Sequence, residues 1–248
     1  MFRLNALGIS FIAWSAIVVL CASKGSAQEV SIAFPGNLPP WVMDNKEQGI
    51  TLEIVRESFK MVGSTVKPSF LSLKALNQVI APDLDAHAQV ESLSLNGHYS
   101  KMFAEFQTSL ISLKPNRIVI KSINDIKDKR IAAYQNASLL FGTVFQQMSQ
   151  NNPHYRELAN QEQQVVQLYD GLADLILLDR SIFLYFRRIT AETNTSMSIT
   201  FHQVPGLTAP SPVFLVFHDA KLREKFNVGL DLLKEVGEYN NIFYKYVR

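Results

Sequence analysis

Four apolar residues in a row, Leu175-Ile-Leu-Leu178, stand between a glycine at 171 and the charged pair Asp179-Arg180. So short a run, with no polar residue to turn toward water, suits a strand buried on both faces, as in a largely parallel sheet covered by helices. A carboxylate then stands where the strand ends. In open α/β sheets ligands gather beyond the carboxyl ends of the strands, so Asp179 stands where a functional acid would stand. It is also well placed as a turn former or as the cap of a helix over Arg180-Ser-Ile-Phe, and position alone leaves both roles open.

The rest of the chain alternates strands and helices in a way that extends this reading. A first strand at 30–34 is stopped by Pro35-Gly-Asn-Leu-Pro-Pro40, with Trp41 directly after the proline corner. That ring is either a lid on the core or a platform for a ligand. Residues 49–63 carry Ile50, Ile54, Val55, Phe59 and Val62 at helical spacing, with Thr51 in cap position and Gly63 past the end. Further strands are expected at 66–70, 84–90, 118–120, 130–134, 199–204 and 213–217, with an extended segment at 106–113. Helices are expected at 74–80, from 135 through 150, at 163–170, at 181–188 and at 221–236, with a last helical piece running to Arg248. The helix after Gln135 would be capped by Asn136 or Ser138. Its free N–H groups could receive an anion, although structural helices start the same way.

Composition narrows the function classes. Of 248 residues 47% are apolar, enough for a large core, and 24 basic against 22 acidic residues are scattered rather than gathered in a stripe, which excludes a nucleic-acid partner. The opening Met1-Phe-Arg-Leu-Asn carries a positive charge, 6–22 is almost wholly apolar, and Gly25-Ser-Ala27 offers small residues to a signal peptidase. Residues 1–27 therefore read as a signal peptide cleaved after Ala27, which places the mature chain in the periplasm. The one cysteine, Cys21, leaves with it, and the exported protein must stand on its apolar core without disulfides.

The ordered set of motifs resembles extracellular solute-binding protein family 3, the amino-acid-type periplasmic substrate-binding proteins of ABC transporters. The likeness is carried by Leu38-Pro-Pro-Trp41, the helix 49–59, Leu84-Asp-Ala86, Tyr99-Ser100, residues 126–134 before the Gln135-Asn-Ala137 turn, Gly171 through Asp179, Phe226-Asn-Val-Gly-Leu230 and Gly237-Glu-Tyr239. It implies the type II periplasmic-binding-protein-like fold, two α/β lobes joined by two extended hinge crossings near 109–113 and 213–217. Residues 28–110 and 217–248 would form lobe 1 and 111–216 lobe 2, closing on a solute by hinge motion. The implied function is a receptor for a small polar solute, an amino acid or amine, that acts as a monomer and delivers its cargo to an inner-membrane permease or sensor.

In the family's pattern Asp179 aligns with the acid that holds a ligand's ammonium, Gln135, Asn136 and Ala137 with the helix start that receives its carboxylate, and Trp41 with the aromatic platform. Two positions depart from the pattern. Thr51 stands where the family's helix usually has an acid, and 89–98 holds no Arg or Lys where a carboxylate-gripping arginine is usual. Ser92 could donate to a carboxylate instead, while Glu91, if turned inward, would favour a cation. The missing arginine opens an alternative: a receptor-like interaction or sensor protein that has lost amino-acid binding.

The five histidines, His87, His98, His154, His202 and His218, lack metal-ligand spacing, and neither a Gly-x-Ser-x-Gly elbow, a phosphate loop nor a dinucleotide fingerprint occurs. Neither an enzyme nor a metal or cofactor site is expected. Asp174, five residues before Asp179 and on the other strand face, reads as structural. N-terminal sequencing of the exported protein should return Gln28 as the first residue; an intact leader on a membrane-bound product would overturn the periplasmic reading.

Overall fold

The computed structural model describes residues 28–76, 81–90, 96–190 and 197–248. In chain order these form β1 (Gln28–Pro35), α1 (Ile50–Met61), β2 (Ser64–Leu71), α2 (Leu73–Leu76), β3 (Ala86–Val90), β4 (His98–Tyr99), β5 (Ala104–Phe106) and β6 (Thr108–Leu113). There follow β7 (Ile131–Tyr134), α3 (Ala137–Leu140), α4 (Gly142–Asn151), β8 (Tyr155–Leu158), α5 (Gln161–Tyr169), β9 (Leu175–Asp179), α6 (Arg180–Ile189), β10 (Ile199–His202), β11 (Ser211–Phe217), α7 (Ala220–Glu235) and α8 (Glu238–Val247). The expected cleaved leader and part of the expected helix at 74–80 lie outside the described residues.

Two sheets organise the chain. The first runs β2-β1-β3-β11-β4, with β5 also on β11; the second runs β10-β6-β9-β7-β8. In the second, β9 is parallel to β7, β7 is parallel to β8, and β6 is antiparallel to both β9 and β10. All five residues of β9 are buried, as the unbroken apolar run requires of a strand covered on both faces. Because β7 and β9 run in parallel, with Ala133 opposite Leu177, they end side by side, and the turn 135–138 and Asp179 emerge at one edge of the sheet.

The chain changes sheets a few residues earlier than expected. Thr108 already pairs with Asp179 in the second sheet, whereas Phe106 pairs with Ser211 in the first, so the outward crossing is concentrated at Gln107. On the return, β10 ends at His202 in the second sheet and β11 belongs to the first from Ser211 onward. The expected extended segment 106–113 is thus split by the hinge, and 213–217 is a sheet strand rather than a crossing.

Local differences from expectation have local causes. Residues 118–120 form no strand; Ile120 is instead buried as an anchor of the second sheet's core. The expected helix from 135 to 150 is broken at Gly142, whose φ of +77° interrupts the helical path between α3 and α4. Gly49, not Thr51, is the N-cap of α1, at φ 128°. A Cβ at Gly49 would sit 2.5 Å from the Trp41 carbonyl oxygen, so this position admits only glycine.

Across the first sheet, α1 packs closely on α7, and Gly229 makes that approach possible: a Cβ there would lie 2.0 Å from the Ser58 carbonyl oxygen. On the hinge side α6 meets α8, and the Arg188 guanidinium donates to the carbonyls of Lys245 and Arg248, closing the C-terminal end of α8. One apolar cluster runs continuously from α1 and the first sheet through Trp41 to Ile182 and Phe183 of α6. Gly229→Ala forces the two helix backbones apart and should cost about 1–3 kcal/mol in a denaturant melt; an unchanged midpoint would show that the α1 to α7 approach is not rigid.

Candidate functional site

Asp179 closes β9 and caps α6. Its Oδ1 accepts from the backbone N–H groups of Ser181 at 3.0 Å and Ile182 at 3.1 Å, the usual service of an N-cap acid to a helix start. Its Oδ2 accepts from the Gln107 N–H at 2.7 Å, tying the cap to the outward crossing. The fourth donor comes from the other lobe: the Trp41 indole Nε1–H reaches Oδ1 at 2.9 Å. Three donors thus converge on Oδ1 and one on Oδ2, which keeps a free acceptor direction. Burial pushes the Asp179 carboxyl up, while the Trp41 indole and the three amides pull the other way by bonding the ionised form.

Trp41 is set in place from all sides. Its carbonyl accepts from the Thr51 N–H at 3.1 Å and the Thr51 hydroxyl at 2.8 Å, which gives the unusual threonine of α1 a structural reason. Its ring packs on Phe106 with centroids 4.7 Å apart and meets Phe243 edge-on at 6.0 Å. Only 1% of the residue is exposed. In this conformation the ring lies buried against Phe106 and Phe243, as a lid on the core would.

The turn after β7 tells a parallel story. Asn136 adopts the left-handed conformation at φ 66° and makes no side-chain cap, contrary to the expectation for Asn136 or Ser138. The cap is Glu157, from β8, whose carboxylate accepts from the Asn136 N–H at 2.6 Å, the Ser138 N–H at 2.7 Å and the Tyr155 hydroxyl at 2.9 Å. Burial would push the Glu157 carboxyl up, but the amide and hydroxyl of Ser138, the phenol of Tyr155 and the amide of Asn136 outweigh it and hold it below the usual carboxylate range. Gln135 is exposed and Ala137 is buried in the second sheet's core. Between the two acids stands Tyr134, whose phenol is pushed up by burial and further by the charges of Asp179 and Glu157, against a hydrogen bond from Thr108.

The structure thus brings Trp41 and Asp179 into contact and sets Asn136 beside the same sheet edge, while Glu91 and Ser92 lie outside the described residues. Gln107 and Glu157 belong to the site and were not read from the sequence. The short strand Tyr155–Leu158, tucked between two helices, was the only available pointer to Glu157. Asp174 is structural as expected: its carboxylate is bonded by the Arg130 backbone and guanidinium, with the ion pair at 2.5 Å. Among the described residues no His, Cys, Asp and Glu cluster could hold a metal ion, and no helix is long and apolar enough to cross a membrane.

No family model and no curated protein sequence matches the chain. Solved structures do match it in fold. The GluR0 ligand-binding core in complex with L-glutamate aligns at a TM-score of 0.64 and 17% identity, covering 90% of this chain and 100% of the other. Substrate-binding domain 2 of Lactococcus lactis GlnP, in its open conformation, aligns at 0.63 and 18% identity over 90% of this chain and 96% of the other. A histidine kinase sensor domain with similarity to periplasmic binding proteins aligns at 0.59 and 14% identity, over 89% and 96%. The two-lobed α/β fold expected from the family resemblance is therefore borne out, and the neighbours are binding proteins rather than enzymes.

If Asp179 serves the chain itself, its replacement must weaken the fold without any solute present. An Asn at 179 would offer one acceptor oxygen and turn an N–H toward a donor, so Asp179→Asn should lower stability by about 1–3 kcal/mol in a urea titration of the unliganded protein. Unaltered stability would mean that the carboxylate is free for a ligand.

Proposed function

We propose that the chain is a periplasmic receptor that takes a small polar solute between its lobes and presents it to an inner-membrane permease or sensor. The observation that carries this reading is the division into two sheets between which the chain crosses at Gln107 and 203–210, the arrangement a hinge motion needs once the contacts between the lobes give way. The folds of the GlnP domain and the GluR0 core support a solute as the thing bound, and the fold of the kinase sensor domain supports a sensor as an equal candidate for the membrane partner.

The solute class is bounded by which charges are left unpaired. An α-amino acid bound in the family's manner would place its ammonium on Asp179 and its carboxylate on the amides at 136–138. Both places are held by the chain: the Trp41 N–H stands where an ammonium would stand, and the Glu157 carboxylate where a ligand's carboxylate would. This favours, as a second reading, a receptor-like interaction or sensor protein that no longer takes an amino acid by those groups.

Thermal melting against a panel of amino acids, amines and small acids separates the two. A solute at 100 times its dissociation constant adds about 2.7 kcal/mol to stability, so a true ligand should raise the melting temperature by several degrees. A panel that leaves the melt unmoved would reject the solute-receptor reading and retain the interaction protein.

A further inference from the structure

A second concave site lies across the hinge, between α8 and β5 of the first lobe and the start of α6 in the second. It measures about 350 Å³, within the usual range for small-molecule sites, and is lined by Arg180, Ser181, Gln107, Glu105, Tyr239 and Phe243 among others. Arg180 is the informative residue. It opens α6, where the helix dipole disfavours a cation, so helix stability does not explain it. The residue is half-buried, and its guanidinium lies 4.4 Å from the centre of the Phe201 ring and donates to the Gln107 side-chain oxygen at 2.8 Å. Among the described residues none of the ion pairs includes it.

Such a fork, oriented on two sides and left without a carboxylate, is built to receive one. The wall beside it is aromatic: Tyr239 and Phe243 pack with centroids 5.3 Å apart and ring planes tilted by 48°, and the Tyr239 hydroxyl is spent on the Phe103 carbonyl at 3.0 Å. Glu105, exposed on the first-lobe side, supplies the opposite charge without touching Arg180. We propose that this hinge cleft binds a small carboxylic acid with a flat apolar body, its carboxylate on Arg180 and Ser181 and its body on Phe243 and Tyr239, with Glu105 improving the fit of acids that also carry an ammonium group. The proposal deepens the receptor reading by naming a place and a chemistry for the solute. Because the walls come from both lobes, and Phe243 also abuts Trp41, occupancy would be felt in the hinge angle.

Calorimetric titration of the exported chain with 3-phenylpropionate, L-phenylalanine and 2-phenylethylamine tests it. Both acids should bind, L-phenylalanine the more tightly, and the amine should not. Arg180→Gln should weaken both acids at least about tenfold, and Glu105→Gln should weaken L-phenylalanine alone. In the unmutated protein, 3-phenylpropionate should move the amide resonances of Gln107, Ser181 and Phe243, a readout independent of how any variant folds. Absence of acid binding, or amide shifts confined to 134–138, would overturn the proposal. Acids that bind equally well to Arg180→Gln would overturn it too, while leaving the receptor reading intact.

Discussion

One buried hydrogen bond spans the two lobes: the Trp41 indole N–H on the Asp179 carboxylate. Much of the local structure converges on it. Gly49 exists as glycine so that α1 can start against the Trp41 carbonyl, Thr51 holds that carbonyl twice, and Phe106 and Phe243 close the two sides of the ring. On the other lobe the same carboxylate caps α6 and pins Gln107, the residue at which the chain changes sheets. A buried carboxylate in an apolar setting needs partners, and the donors here come from both lobes and from the hinge, so rotating one lobe away from the other must break at least one of these bonds.

Two polar points at the ends of β7 and β9 are hydrogen-bonded from within the chain, the Asp179 carboxylate by the Trp41 indole and the amides at 136 and 138 by the Glu157 carboxylate. Arg180 and Glu105 line a separate cleft at the hinge, and among the described residues neither belongs to an ion pair. A receptor fold can keep its hinge and still change what it reads, and function must be argued from these sites rather than from the fold.

Much of the architecture was legible because it follows from local rules. The apolar run at 175–178 had to be a doubly covered strand, the periodic residues of 49–63 had to form a helix, and the order of motifs pointed to two lobes. Asp174 was read as structural from strand alternation; it stands just before β9 and owes that role to Arg130. The site was far less legible. Trp41 and Asp179 are separated by 138 residues, and nothing in either neighbourhood says that the ring would turn inward to bond the acid rather than stay open to a ligand. Glu157 sits in a four-residue strand without a marked pattern, yet it fills the turn at 136–138. The changes of sheet were misplaced by a few residues because an extended segment looks the same in sequence whether it pairs in one sheet or two.

Trp41 offers a direct test of the central claim, that Asp179 is satisfied from within. The chain holds two tryptophans, at 14 and 41, so in a protein beginning at Gln28 the emission reports the ring of Trp41 alone. A blue-shifted emission, protected from acrylamide and unmoved by saturating amines, is the expected result. A red-shifted, readily quenched emission in the unliganded protein, or an amine that displaces the ring and shifts the spectrum, would contradict it.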